Sequence, residues 1–333
     1  MHSMVHALLR QPAAGQPAAD ASIVRVVSLT GFGRRDAADG AVVDQAGIHG
    51  EILGGILDDP IRQAHAAGGR QLVSGRITDP DADAAGLLCG GTARLLLTPL
   101  DEVPELFRTS VASATPVALV TQIGADGTIG DTVVVTRAAA EGTIADDAST
   151  SAAVDAAREL LAMGKSDTRV VEHGGGELAI ATLVPLPSGH VVGSGPIAEA
   201  IMAQGQLMGW TVTSDETVDA GEAFLTTAGP ADAIVILSHD PRIDTPLLDA
   251  ALRSDVGYVG AMGSRHTQAK RRTRLEALGH DETSLARIHG PVGLDLGSRT
   301  PAETAVAIAA EYLANRSGRA AQSLGTTTGP ING

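Results

Sequence analysis

Two segments in the last third of the chain limit the fold more than any others. The first is Gly257-Tyr258-Val259-Gly260-Ala261-Met262-Gly263-Ser264-Arg265, where a short apolar run enters a glycine turn and continues into a basic helical stretch. The second, Gly290-Pro291-Val292-Gly293-Leu294-Asp295-Leu296-Gly297-Ser298-Arg299, leads into Thr300-Pro301-Ala302-Glu303, a capping-box pattern with proline at the first helical position. Both read as strand-to-helix turns. The first N–H groups of a helix have no partner within it and carry a partial positive charge, so such turns suit an anion.

The aromatic content is 2% although 44% of the 333 residues are hydrophobic. Aliphatic side chains must therefore build the core, which suits parallel strands covered by helices. A length of 333 residues is expected to divide into two domains. The balance of 24 lysine and arginine against 39 aspartate and glutamate, a formal charge of −15, argues against nucleic acid or an anionic membrane as partner. With Cys89 the only cysteine, no internal disulfide forms, and no apolar run approaches the roughly 18 residues of a membrane span. A soluble cytoplasmic protein is the expectation.

Along the first half, residues 21–30 are rich in strand formers, and short segments around Val42, Ile48 and Ile52 are bounded by glycine, as in an antiparallel or mixed sheet. A helix is expected over 59–67. Gly86-Leu87-Leu88-Cys89-Gly90-Gly91 opens into the apolar run 93–97, placing Cys89 on a turn entering a strand. Further strands are expected at 116–124, 131–136 and 177–184, with helices at 151–163 and near 104–108. The pattern is α+β up to a boundary near residue 184, so the domains are expected at 1–183 and 184–318. Residues 319–333 are rich in Gly, Ser and Thr and are expected to lack order.

From 184 onward strands and helices alternate, the signature of a Rossmann-like doubly wound parallel sheet. His190-Val191-Val192 meets Gly193-Ser194-Gly195-Pro196-Ile197-Ala198, a G-x-G-x-x-A pattern, and Asp215 ends the next strand about 20 residues later, where an acid can bond a ribose. Any βαβ crossing also needs small residues, and Asp215 can simply cap a strand end. The strand at 233–237 runs into Ser238-His239-Asp240-Pro241, which puts His239 and Asp240 where open sheets hold ligands or move protons. A helix is expected from about 245 to 253. Ser264 is the expected N-cap beside Gly263 and Arg265, whereas Lys270, Arg271, Arg272 and Arg274 read as a solvated helix face. Ser298 and Arg299 precede the last helix and are free to bind a ligand.

His239-Asp240-Pro241, the Gly257 to Arg265 segment with Lys270-Arg271-Arg272, and the Gly290 to Asp295 segment with Thr300 to Glu303 closely resemble the XdhC/CoxI family of xanthine dehydrogenase accessory proteins. The resemblance extends into the first hundred residues through Gly86 to Gly91 and, more weakly, Gly50 to Asp58. It implies a chaperone for a cofactor more than a catalyst, one that binds molybdenum cofactor, works with a cysteine desulfurase in its sulfuration, and delivers it to an apo molybdenum hydroxylase. It also implies a homodimer. On this reading Cys89 approaches molybdenum or carries sulfur, while Gly193, Gly195, Gly263, Ser264 and Arg265 face phosphate or pyrophosphate. The chain departs from the family pattern at Ile56, which follows Gly54-Gly55 where a second cysteine is usual. An NAD(P)-dependent oxidoreductase using Gly193, Gly195, Ala198, Asp215 and His239 is the alternative, and a scaffold that only docks to the hydroxylase is a third.

Overall fold

The computed structural model describes residues 20–31, 40–84 and 90–328. The chain divides into two compact units, one ending at Pro185 and the other beginning at Leu186.

The first unit contains β1 (Ser22–Thr30), β2 (Gly40–Asp44), β3 (Gly47–Gly50), α1 (Asp58–Ala67), β4 (Gln71–Ile77), α2 (Asp79–Ala84), β5 (Gly91–Pro99) and α3 (Glu105–Ala112). It continues through β6 (Val117–Ile123), β7 (Ile129–Val135), β8 (Ala140–Glu141), α4 (Asp147–Ala162), β9 (Thr168–His173) and β10 (Gly176–Leu183). Among the described residues these strands form two antiparallel sheets, ordered β3-β2-β1-β5-β4 and β8-β7-β6-β10-β9. The second sheet repeats the spatial strand order of the first, although the first has a short helix, α2, between its last two strands that the second lacks.

Strand periodicity explains the layering. Val24 and Val26 of β1 face Leu57 and Ile61 around α1, while Ile23 and Val27 on the opposite side join Leu119, Ile123 and Ala179 of the second sheet. Ala153, Ala157 and Leu160 on α4 are buried on the second sheet, so the layers run helix, sheet, sheet, helix. Asp146 caps α4 by accepting from the Ser149 N–H at 2.7 Å.

The second unit is doubly wound. It runs β11 (Ser188–Val192), α5 (Pro196–Leu207), β12 (Thr211–Asp215), α6 (Val218–Leu225), β13 (Ala233–Ile236), α7 (Pro241–Arg253), β14 (Tyr258–Ala261), α8 (Arg265–Ala277), α9 (Glu282–Leu285), β15 (Ile288–His289) and α10 (Pro301–Ser317). All pairings are parallel in the order β12-β11-β13-β14-β15. Ile234 and Ile236 face the cluster beneath α6, α7 and α8, and Val235 faces Ile308 and Tyr312 of α10. Both faces of β13 are thus buried, as its unbroken apolar run requires. A short 3-10 turn, Leu324–Thr326, follows α10 within the segment expected to lack order.

Two expectations are revised. Arg271, read as part of a solvated face, is 2% exposed. The helix expected from about 245 begins at Pro241, because Asp240 caps it and proline tolerates the first turn. Strands β4 and β9 lie at equivalent edges of the two sheets and were not expected. Their half-exposed side chains lack the apolar run that marks a central strand.

Candidate functional site

Strand order reverses between β11 and β13, so the carboxyl ends of these strands form the switch point at which open α/β sheets take ligands. Gly193 lies there with φ of 146°, its N–H bonded to the Asp215 carbonyl at 2.8 Å; a Cβ on it would come within 2.9 Å of Leu237 Cβ. Only glycine lets the turn pass that close. Gly195, with φ of 86°, starts α5, and a Cβ there would meet nothing within 4 Å. Its surroundings are open on the side a ligand would approach. Ala198 is fully buried, as the close crossing of α5 over the sheet requires. Asp215 closes β12, and its Oδ1 accepts from the Thr217 N–H at 2.8 Å and from the Thr217 hydroxyl at 2.6 Å. The Thr217 bonds hold its carboxyl below the usual range, and this local turn engages one carboxylate oxygen.

The neighbouring strand ends build a larger cavity. A cleft of about 1030 Å³ is lined by His239 after β13, by Gly263, Ser264, Arg265 and His266 at the start of α8, and by Gly293 and Asp295 after β15. The Ser264 hydroxyl caps α8 by accepting from the Thr267 N–H at 3.2 Å. The first turn of α8 contains no acidic residue. Among the described residues Arg265, His239 and His266 have no ion pair or side-chain hydrogen bond, and all three are exposed. A cationic side chain in the first turn opposes the helix dipole and costs about 0.3–1 kcal/mol unless an anion is shared with it.

Two polar groups hold the walls of this cleft. The Arg271 guanidinium donates from Nε to Asp244 Oδ2 at 2.8 Å, from Nη1 to the Met262 carbonyl at 2.5 Å and from Nη2 to the Ser238 carbonyl at 2.7 Å. On the other side, Glu311 of α10 accepts from the Gly293 N–H at 2.8 Å and from the Tyr258 hydroxyl at 2.6 Å, and His289 lies 3.4 Å away. Burial alone would raise the Glu311 carboxyl, but bonds from His289, Tyr258 and Gly293 outweigh it and hold the group below its ordinary range. Burial and the Glu311 carboxylate drive the Tyr258 hydroxyl well above its ordinary value, so it remains a donor. A separate cavity of about 50 Å³ beneath α5 and α10 is almost wholly apolar and too small for a cofactor.

The structure therefore brings His239, Gly263, Ser264 and Arg265 into one cleft and places Gly193, Gly195 and Asp215 at the adjoining switch point. Asp240 is committed to α7, accepting from the Arg242 N–H at 2.9 Å and pairing with the Arg242 guanidinium, which depresses its carboxyl to about 2. Ser298 donates to the Glu303 carbonyl at 3.2 Å and the Arg299 N–H to Glu303 Oε2 at 2.6 Å, so the Ser298 hydroxyl and the Arg299 backbone brace the start of α10, while the Arg299 guanidinium takes no part in these bonds. Cys89 lies outside the described residues. Ile56, where the family pattern has a cysteine, packs against the core beside α1. His266, Asp295, Arg271 and Asp244 were missed. Arg271 stands one helical turn before the buried Leu275, a spacing that marks it as part of the buried stripe.

The sequence model of the XdhC Rossmann domain matches residues 190–312. Residues 190–312 are thus similar to the XdhC Rossmann domain. Over 84 residues, 25% of this chain and 26% of the relative, the chain is 32% identical to the molybdenum cofactor insertion chaperone PaoD of Escherichia coli. It is 33% identical over 82 residues to the uncharacterized protein YqeB of the same organism, covering 25% of this chain and 15% of YqeB. The chain thus matches about a quarter or less of the length of these relatives. A solved structure described as a xanthine dehydrogenase from Bacillus halodurans superposes with a TM-score of 0.60 over 96% of this chain and 98% of that one. At 17% identity, that likeness shows the fold. Among the described residues no helix is long and apolar enough to cross a membrane, and no group of three or more His, Asp, Glu or Cys side chains is placed to hold a metal.

Proposed function

We propose that this protein is a molybdenum cofactor chaperone of the XdhC kind: it holds the phosphate end of the cofactor in the α8 cleft and passes the cofactor to an apo molybdenum hydroxylase of the xanthine dehydrogenase kind. The observation that carries this reading is the set of unpaired basic side chains, Arg265, His266 and His239, around a helix start without an acid, in a chain of net charge −15. A phosphate would accept from the free N–H groups of α8 and from Arg265, offsetting the unfavourable placement of the Arg265 cation in the first turn. The cleft volume accommodates more than a phosphate, in keeping with a pterin attached to it.

The cofactor itself brings the metal and its dithiolene. This chain's part is to bind the anionic end, orient the ligand against the wall carrying Asp295, and shield it until transfer. Cys89, on its Gly-rich segment, is the proposed soft ligand or sulfur carrier. A cysteine desulfurase is the proposed source of that sulfur. Function as a homodimer is part of the same proposal.

The direct test is mass spectrometry of what co-purifies with the protein from a molybdate-fed host. A pterin with molybdenum is the expected finding; nicotinamide dinucleotide with hydride-transfer turnover would replace this reading by an oxidoreductase. Arg265→Ala is expected to weaken pyrophosphate binding by about 1.5–3 kcal/mol, the range for a charge-assisted hydrogen bond, less steeply as salt rises. Equal affinity of the two proteins would remove Arg265 from the site. Cys89→Ser should retain pyrophosphate affinity but fail to activate the apo hydroxylase; full activation would exclude the thiol.

A further inference from the structure

The last sheet hydrogen bond between the two strand ends that wall the cleft runs from the Met262 N–H to the Ile236 carbonyl at 2.8 Å. Beyond it the chains diverge, one toward His239 and the other toward Gly263, and their carbonyls lose ladder partners. Arg271 takes over there. Its fork binds the carbonyls of Ser238 and Met262, the residues immediately before His239 and Gly263, while its Nε is fixed on Asp244. Arg271 and Asp244 are 2% and 1% exposed, so neither reaches the cleft itself.

The pinning continues on both chains. The Asp240 N–H donates to the Ser238 hydroxyl at 3.1 Å, which places His239 between two fixed neighbours. Gln268 accepts from Arg271 at 3.3 Å and donates to the Ala261 carbonyl at 2.9 Å, tying the first turns of α8 to the end of β14. A buried charge that satisfies two diverging carbonyls defines their separation, because moving either one leaves part of a desolvated guanidinium unbonded.

We infer that Arg271, anchored by Asp244, is the positioning residue of the cleft: it sets the spacing between His239 and the Gly263-Ser264-Arg265 turn on which anion binding depends, without touching the anion. This rests on the anion-cleft reading for its binding consequence, but its effect on the two loops stands apart from any ligand. Lysine retains the charge yet lacks the planar fork, so it cannot serve Asp244 and both carbonyls together.

The experiment compares wild type, Arg271→Lys and Leu248→Ala as full-length folded proteins. Leu248 is a fully buried core residue of α7 that takes no part in the hydrogen bonds of Arg271, and its truncation is expected to lower stability. Two quantities are measured: affinity for inorganic pyrophosphate, and amide exchange in peptides covering 237–240, 262–265 and, as reference, 188–192. Arg271→Lys is expected to weaken pyrophosphate binding about tenfold or more and to speed exchange about tenfold in the two cleft peptides, sparing the reference. Leu248→Ala should leave the affinity and the cleft-to-reference exchange ratio unchanged. Wild-type affinity and exchange in Arg271→Lys would overturn the inference, as would an equal loss of affinity in Leu248→Ala. If the wild type itself does not bind pyrophosphate, the anion-cleft reading fails while the exchange comparison still decides the role of Arg271. Should Arg271→Lys not fold, Asp244→Glu, which displaces the anchor but keeps its charge, is measured in the same two ways, with the same outcomes for and against.

Discussion

Arg25 and Arg271 are buried to nearly the same degree, 3% and 2% exposed, yet they sit in opposite electrostatic settings. Arg25 lies in the first unit between its two sheets, donating to the Thr121 hydroxyl at 2.7 Å, the Thr98 hydroxyl at 3.3 Å and the Leu119 carbonyl at 3.5 Å. Its Nε has no partner, and among the described residues no carboxylate pairs with it. Burial, with a contribution from Arg70, lowers it to about 10. Arg271 in the second unit has a buried carboxylate and two main-chain carbonyls. The difference teaches that burial alone does not measure a charge's structural role. What counts is whether its removal strands a second charge or frees a segment of backbone.

The largest expected effect follows from breaking the paired site. Asp244→Asn leaves the Arg271 charge buried and uncompensated, and a loss of about 3–5 kcal/mol is expected in urea unfolding of the full chain. Replacing both partners, Asp244→Leu with Arg271→Met, should recover most of that loss, because no stranded charge remains; a double variant as unstable as the single one would refute the pairing argument. Next, Arg25→Met is expected to change stability by less than about 1.5 kcal/mol, since its acceptors are two neutral hydroxyls and a carbonyl, and one of them, Thr121, also bonds the Thr132 hydroxyl at 2.7 Å. A loss matching that of Asp244→Asn would erase the contrast between the two regions.

Glu311 provides an intermediate case, a carboxylate held by neutral and basic donors at the opposite cleft wall. Its folded-state value is depressed, so the stability it contributes is present above its unfolded value near 4.5 and disappears as pH falls through the folded value. Glu311→Gln should flatten the acid limb of the stability profile below about pH 4.5, and an unchanged limb would show that the carboxylate is not linked to folding. The smallest effect is expected at Gly195, where Gly195→Ala meets no neighbour but must hold φ of 86°, for about 1 kcal/mol of backbone strain. Thermal unfolding measures that cost; a much greater loss would mean that the open space is filled.

The architecture was legible where local pattern suffices. The buried runs at 93–97 and 233–237, the serine before α8 and the capping box at Thr300 and Glu303 are each set by residues a few positions apart, and all appear as expected. Edge strands β4 and β9 were hidden because half-exposed strands show little contrast between their faces. The duplicated strand order of the first unit was equally hidden, since topology depends on which distant strands pair. Within the cleft, Gly263, Ser264 and Arg265 were legible from one helix start. Asp240 was read as a ligand contact, whereas its hydrogen bonds show a helix cap, which proline at position 241 could have signalled.

By itself the sequence determined the alternation of strands and helices in the second unit, the helix starts that face the cleft, and the excess of acid against which a cluster of unpaired bases stands out. These depend on spacing along one short segment and on charge, which need no knowledge of the rest of the chain. Only the tertiary structure decided that Arg271 belongs to the interior. Its partners Asp244 and Ser238 are 27 and 33 positions away, and parallel strand pairing brings them beneath one helix. A guanidinium on an otherwise basic helix is drawn out of water only because that pairing places a carboxylate and two unsatisfied carbonyls within its reach.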